Sequence, residues 1–327
     1  MSSFVSTLKY VLKRFGLMIL SFFIIMVICF ILIRLMPFQS EAQGQAAVVE
    51  AARREALGYN KPIMEQLWIY TKNVITEWDW GVSWKIDYMA DVTEVVGDRL
   101  VPSILLNIYS MVIAMPIGIF FGILAALKKN KWQDQVISTG VMVFISVPAF
   151  VYAFVLQYIL GFKLGWLPAV ASSLADAGGS YFSWTMTKSL LLPVLSLSLG
   201  TIAGMTRTVR AELTEALTSD YMLLARTKGL TKGQAIFRHA LKNAMVPILP
   251  SIISSFLGIL GGAYITERIF GVPGAGNLYI RAITLRDYDV FIYLTAFYTF
   301  IGLAAGIIVD ISYGFLDPRV RVGGGKK

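Results

Sequence analysis

Six long stretches of the chain contain no Asp, Glu, Lys, Arg or His, and this feature limits the possible folds more than any other. A helix of about 20 apolar residues crosses the hydrocarbon core of a bilayer, and each stretch is close to that length or longer. Only 15% of the residues are charged, against about 25% in an average soluble domain. The pattern predicts an all-α integral membrane protein with about six transmembrane helices. The charge-free stretches are 15–33, 100–127, 136–162, 189–206, 244–266 and 290–309.

The basic residues predict how these spans are oriented. An even number of spans places both termini on one side, and cytoplasmic loops carry an excess of Lys and Arg. We therefore expect a multi-pass membrane protein with both termini in the cytoplasm. The net charge of +9 lies between apolar blocks and not on a water-soluble basic face, so no nucleic acid partner is expected. The basic clusters are Lys9/Lys13/Arg14, Lys128/Lys129/Lys131, the segment Arg207 to Lys242, and Arg319/Arg321/Lys326/Lys327.

The domain organisation follows from this topology. The first charge-free stretch has 19 residues, longer than the roughly 7 to 15 of a signal-peptide core, so it is interpreted as an uncleaved span. The segment that follows has ten acidic residues, six basic residues and several tryptophans, which indicates a small folded extracytoplasmic subdomain. The predicted divisions are 1–36 (N-terminus and first span), 37–99 (subdomain), 100–317 (spans two to six, with a cytoplasmic loop at 207–246) and 318–327 (cytoplasmic tail).

Small residues and prolines inside the spans predict where helices pack closely or bend. Glycines four residues apart allow helix backbones to approach each other in lipid. Prolines free backbone groups that neighbours or water must satisfy. The glycine pairs are Gly118/Gly122, Gly200/Gly204, Gly258/Gly262 and Gly302/Gly306, and the prolines are Pro116, Pro148 and Pro193.

The cytoplasmic loop is too long for a simple turn and carries helix signals. Thr218, Ser219 and Asp220 offer N-cap oxygens, and Gly229 can end a helix in a left-handed turn. Thr231 can cap a second helix, which is amphipathic because Ile236/Ala240 and Phe237/Leu241 share one side. We therefore expect two short helices joined at Gly229. The first would present an apolar strip formed by Tyr221, Leu224 and Ala225.

Two interpretations of this loop stay open from the residues alone. Its lysines and arginines favour an interfacial helix on anionic headgroups. Its apolar strip equally favours a docking surface for a partner protein.

The stretch from Asp220 to Leu230, with His239-Ala-Leu-Lys-Asn-Ala244 and Pro247 after it, resembles the EAA loop of ATP-binding-cassette (ABC) importer permeases of the oligopeptide/dipeptide branch. Leu223 and Leu224 stand where the general motif has Glu and Ala, while Ala225 and Gly229 match it. Shorter motifs along nearly the whole chain resemble the same branch. They include Arg34-Leu-Met-Pro37, Leu57-Gly-Tyr-Asn-Lys-Pro62, Trp80-Gly-Val-Ser83, Ser146-Val-Pro148, Trp166-Leu-Pro168, Glu267-Arg-Ile-Phe270, Pro273-Gly-Ala-Gly276 and Asp317-Pro-Arg319.

The resemblance implies a type I ABC importer permease fold and a transport subunit of the bacterial cytoplasmic membrane, not an enzyme. It implies a heterodimer with a homologous permease, two ATPase subunits, an extracytoplasmic peptide-binding protein, and peptides, most of all oligopeptides, as substrate. Dipeptides, glutathione and nickel chelates are alternative substrates. The EAA loop would form the helix that couples to the ATPase. The residues carried over to that role are Asp220, Tyr221, Leu224, Ala225, Lys228, Gly229, Leu230, His239 and Asn243.

No cofactor or metal site is expected. The chain has no G-x-x-x-x-G-K-[ST] phosphate loop, so ATP hydrolysis is assigned to partner subunits. The single cysteine, Cys29, and the single histidine, His239, offer no cluster for a metal or for membrane-embedded catalysis. An ion-coupled secondary transporter is the alternative from another class, although charge-free spans argue against proton coupling. A peptide substrate would need a watery path, and uncharged polar residues within the spans are consistent with one, with no residue assigned to it: Asn107, Ser110, Ser146, Gln157 and Ser196.

Overall fold

The computed structural model describes residues 2–36, 44–56, 58–257 and 263–316. These ranges form thirteen α-helices, two of which continue into π-helical turns, and no β-strand, so the all-α prediction is confirmed for this part of the chain. The helices are α1 (Ser2–Arg34), α2 (Gln45–Ala56), α3 (Ile63–Glu77), α4 (Val92–Leu127), α5 (Trp132–Ser146), α6 (Ala149–Leu156, continued by a π-turn at Gln157–Lys163), α7 (Trp184–Leu217), α8 (Asp220–Thr227), α9 (Lys232–Ala235, continued by a π-turn at Ile236–Ala240), α10 (Leu241–Leu257), α11 (Tyr264–Phe270), α12 (Ala275–Leu285) and α13 (Tyr288–Leu316).

Within the described ranges, four helices are long and apolar enough to cross a membrane: α1, α4, α7 and α13. They contain the first, second, fourth and sixth charge-free stretches. The helix α10 holds the first part of the fifth stretch, and residues 258–262 of that stretch lie outside the described part of the chain. The predicted glycine pair Gly258/Gly262 lies there too.

The third predicted span is not one straight helix. The helices α5 and α6 meet at a bend of 100°, and the break falls at Val147 and Pro148. Val147 has extended backbone angles (φ −84°, ψ 128°), because a proline ring disfavours helical geometry in the residue before it. Pro116 and Pro193 behave differently, since both lie inside continuous helices.

The helices α4 and α7 form the central pair of the bundle, and glycines bring them close together. A Cβ atom added at Gly118 would lie 2.7 Å from Met205 Cβ, and one at Gly122 would lie 2.5 Å from Val209 Cβ. The Thr206 hydroxyl also donates to the Gly118 carbonyl at 3.2 Å. This pair therefore acts as predicted, whereas Gly302 and Gly306 face open space in the structure.

The helix α3 and the segment 78–91 pack against one end of the bundle. The helix α2 is linked to that segment by an ion pair between Arg53 and Asp79 at 3.5 Å, and we call residues 44–91 the subdomain. The Tyr70 ring of α3 lies 5.2 Å from the Phe30 ring of α1. Trp80 lies 5.0 Å from Tyr293 of α13. These aromatic contacts join the subdomain to the ends of two spans.

Candidate functional site

The helix α8 begins and ends where the sequence predicts, although its first cap differs in detail. Ser219 is the N-cap residue, but its hydroxyl accepts no hydrogen bond from the N–H groups of α8 and donates to the Ala216 carbonyl. At the other end Gly229 has φ +89°. The Gly229 N–H donates to Arg226 O at 3.0 Å and the Leu230 N–H to Ala225 O at 3.3 Å, which is the hydrogen-bond pair of a Schellman motif. The left-handed backbone at Gly229 and these two backbone hydrogen bonds therefore end α8.

The helix α8 has one buried face and one exposed apolar face. Met222 and Ala225 are buried in a cluster with Leu213 and Ala216 of α7. On the other side, Leu223 is 68% exposed and Leu224 is 56% exposed. The predicted strip of Tyr221, Leu224 and Ala225 is therefore split, because Ala225 belongs to the buried face. We call the exposed side chains of Tyr221, Leu223, Leu224 and Phe237 the apolar docking surface; Phe237 is 75% exposed.

The second predicted helix is not a separate short helix. Thr231 and Gln234 form a capping box as the sequence suggests. The helix then passes through the π-turn at Ile236–Ala240 directly into α10. Because residues 232–257 form one continuous helical path, the turn at Gly229 is connected to the fifth predicted span without a loop.

The predicted coupling residues fall into three groups in the structure. The exposed residues are Asp220, Tyr221, Leu224, Lys228, Gly229 and Asn243; the half-buried ones are Leu230 and His239; the buried one is Ala225.

In the described part of the chain, no group of three His, Cys, Asp or Glu side chains could hold a metal ion.

A cleft of about 520 Å³ lies beside α8, between it and the ends of α4, α7 and α9. Its charged lining residues are Lys129, Asp220, Arg226 and Lys232. The apolar docking surface thus borders a mostly basic depression, which suits a partner with acidic and apolar side chains.

An ion pair that sequence reasoning missed connects α5 to α7 near α8. The Arg210 guanidinium donates from Nε to Asp134 Oδ1 at 2.6 Å and from Nη2 to Oδ2 at 2.9 Å. Asp134 also accepts from Asn130 N–H at 2.9 Å and from the Ser138 hydroxyl at 3.1 Å. Both charged groups lie outside the charge-free stretches 136–162 and 189–206. The hydrogen bonds from Arg210 lower the pKa of Asp134 from its ordinary 3.8 to about 2.

Buried acidic groups also lie at the subdomain end of the bundle. Asp289 accepts from the Tyr59 hydroxyl at 3.0 Å and from Arg34 Nη2 at 3.4 Å. Nearer the other ends of α1 and α13, the partly exposed Asp310 pairs with Arg14 at 3.0 Å. Arg34 and Asp310, which lie just outside the first and sixth charge-free stretches, therefore each have a partner. No local sequence pattern marks Asp289, because its partners lie more than two hundred residues away in the chain.

Glu267 organises the glycine-rich segment before α12. Its buried carboxylate accepts from the Ser103 hydroxyl of α4 at 2.7 Å and from Asn277 N–H at 2.8 Å. Gly274 and Gly276 lie so close to this carboxylate that a Cβ atom at either position would contact it. The glycines therefore shape a turn, and that turn is fastened to α4.

The uncharged polar residues within the predicted spans have different environments. Ser110 and Ser196 are buried, and Asn107 and Gln157 are half-buried. Gln157 donates to Ala169 O and Ile269 O, which gives it a structural role. Ser146 is exposed, next to the bend between α5 and α6.

The chain is similar to known transport proteins in both sequence and fold. Residues 118–322 match the family model "Binding-protein-dependent transport system inner membrane component". The chain is 31% identical over 319 residues to the glutathione transport system permease protein GsiC of Escherichia coli (strain K12) and of Shigella dysenteriae serotype 1, covering 96% of this chain and 99% of each relative. A crystal structure of an amino acid ABC transporter with histidines shares the fold, with a TM-score of 0.50, 20% identity, and coverage of 68% of this chain and 94% of that one.

The match extends over more than half of the chain for the family model and nearly all of it for the relatives. A permease of this kind works with ATPase and substrate-binding partners. The chain therefore belongs to the family of binding-protein-dependent transport system inner membrane components, as a permease subunit of a peptide-type ABC importer.

Proposed function

We propose that this chain forms half of the translocation pathway of a peptide importer and receives the force of ATP hydrolysis through α8. The observation that carries the proposal is the apolar docking surface. Leu223, Leu224 and Phe237 are exposed at the end of the bundle that the positive-inside rule assigns to the cytoplasm. An ATPase subunit would cover them.

The buried face of α8 supplies the path for this force. Met222 and Ala225 pack against Leu213 and Ala216, so a displacement of α8 is passed to α7 by close contact. The ion pair between Arg210 and Asp134 extends the path to α5. The continuous helix from α9 into α10 adds a second path. Closure of two ATPases would then move several helices of the permease together.

The family supports our proposal for the remaining partners and the substrate. The chain pairs with a homologous permease, and an extracytoplasmic binding protein delivers a peptide to the subdomain side. Oligopeptides are our first candidate. Glutathione is the second, because the relatives that match over nearly the whole chain are glutathione permeases. Both termini lie in the cytoplasm in this arrangement.

ATP-driven uptake tests the docking role. The chain and its partner subunits are reconstituted in proteoliposomes, with the peptide-loaded binding protein on the receiving side. Replacing Leu223 and Leu224 together by Asp places two charges in the interface, and we expect uptake to be lost while the permease still folds. Leu174→Asp is the matched control, since Leu174 is an exposed leucine in the loop before α7. Undiminished uptake by the double variant, or by a variant lacking residues 220–230, would refute the assignment.

Uptake assays in which the binding protein is loaded with different ligands test which substrate is imported. Radiolabelled glutathione and a labelled pentapeptide are offered separately. Uptake of the pentapeptide supports an oligopeptide importer, and uptake of glutathione alone replaces that assignment with the alternative.

A further inference from the structure

The helix α3 of the subdomain carries an exposed apolar stripe. Met64 is 63% exposed, Trp68 is 69% exposed and Ile75 is 77% exposed. At about 100° per residue these three side chains fall within roughly 40° of each other around the helix. Trp78, just after the last turn, is exposed as well. Side chains of this size and polarity are seldom left in water as a group.

The stripe is part of a wider apolar arc of α3. Leu67, Tyr70 and Val74 occupy the neighbouring arc and pack against the ends of the spans. The polar side of α3, with residues such as Glu65 and Lys72, lies on the other flank of the stripe. The protein thus covers only part of the apolar arc, which leaves α3 amphipathic towards its surroundings.

The position of α3 along the axis of the membrane-spanning helix α1 indicates what surrounds the exposed stripe. The Tyr70 ring contacts Phe30, which is four residues before the end of α1 and thus about 6 Å from it. Ile28 and Leu32 of α1 are exposed at this same height, in the last turns of a helix that crosses the membrane. The helix α3 therefore lies where hydrocarbon gives way to headgroups, the region in which tryptophan is enriched.

We propose that α3 is a membrane-interface anchor, in which Met64, Trp68 and Ile75 insert between phospholipids of the leaflet on the subdomain side. The occupant of the stripe is lipid and not protein. The anchor would hold the subdomain at a fixed height against the bundle, independently of the docking role proposed for α8.

Nitroxide accessibility in a bilayer tests the anchor. The full chain with Cys29→Ser is assembled with its partner subunits in vesicles of phosphatidylethanolamine and phosphatidylglycerol. Spin labels are attached at Trp68→Cys and Ile75→Cys, with Glu65→Cys and Lys72→Cys as controls on the polar arc of the same helix. We expect the ratio of collisions with oxygen to collisions with a water-soluble nickel chelate to be several-fold higher at positions 68 and 75 than at 65 and 72.

Two results would overturn the proposal. Nickel collisions at positions 68 and 75 that equal those at 65 and 72 would place the stripe in water. An immobilised label at position 68 that neither reagent reaches would mean that a partner protein covers the stripe. Quenching of tryptophan fluorescence by brominated lipids gives a readout without cysteine substitutions, since Trp68→Phe should remove part of the quenching seen in the parent chain.

Discussion

The carboxylate of Asp287 links the subdomain to the bundle by hydrogen bonds, and we expect its removal to destabilise the docked subdomain. Asp287 is fully buried at the junction of α12 and α13. Its Oδ2 atom accepts from the Ser83 hydroxyl at 2.6 Å and from the Lys85 and Ile86 N–H groups, each at 3.0 Å. Its Oδ1 atom accepts from Trp84 N–H at 3.1 Å. One side chain thus satisfies four donors of the segment 83–86.

The size of the effect follows from these four donors. Asp287→Ala leaves all of them without this acceptor, and a buried unpaired donor costs about 1–3 kcal/mol. With partial relaxation we expect a loss of roughly 4 kcal/mol in the stability of the docked subdomain. In Asp287→Asn the amide oxygen can still face the three donors of Oδ2, so only Trp84 N–H is lost and the cost falls to roughly 2 kcal/mol.

Hydrogen exchange measures this loss locally. A loss of roughly 4 kcal/mol lowers the protection of the amides at 84–86 by about a thousandfold, and one of roughly 2 kcal/mol lowers it by a few tens. Asp176→Asn is the control, because Asp176 is exposed and its hydrogen bonds are local: its Oδ2 atom accepts from the Ser173 hydroxyl at 2.6 Å, and its N–H donates to Ser173 Oγ at 3.1 Å. Unchanged protection at 84–86 in Asp287→Ala would refute the reasoning.

Three further predictions concern helix contacts and backbone geometry. Gly122→Ala should lower the melting temperature in detergent by an amount equivalent to about 1–3 kcal/mol, because its Cβ atom would lie 2.5 Å from Val209 Cβ, while Gly302→Ala, which meets open space, should not. The hydrogen bonds from Arg210 lower the pKa of Asp134, so its contribution to stability is present above its ordinary pKa of 3.8 and is lost as the pH falls towards 2. Thermal unfolding should therefore depend less on pH in this range for Asp134→Asn. Gly229→Val should reduce uptake, since a β-branched residue strains a φ of +89°, whereas Gly229→Asn should retain most of it.

The spans and α8 were accessible from the sequence because their signals are local. The length of the charge-free stretches identifies α1, α4, α7 and α13. Candidate cap residues identify α8 and the turn at Gly229. The bend at Pro148 was harder to foresee, because Pro116 and Pro193 have the same sequence signal and lie inside continuous helices. The surrounding packing decides which proline ends a helix.

The buried ionic contacts could not be foreseen because their partners are far apart in the chain. Asp134 and Arg210 are separated by 76 positions, and Ser83 and Asp287 by 204. A single sequence shows Asp134, Arg210 and Asp287 only as charges near the ends of apolar stretches, and Ser83 only as a serine between the first two spans. The same limit applies to Ala225, whose burial depends on where α7 passes.

Cross-linking at α8 tests the central claim most directly. A single cysteine is placed at Leu224 in the Cys29→Ser chain, with Leu174→Cys as the control, and the assembled transporter is treated with a short bifunctional reagent. We predict that position 224 cross-links to the ATPase subunit and that the yield changes when ATP is added, while position 174 does not cross-link to it. Equal yields at both positions, or no ATPase product at position 224, would contradict the account.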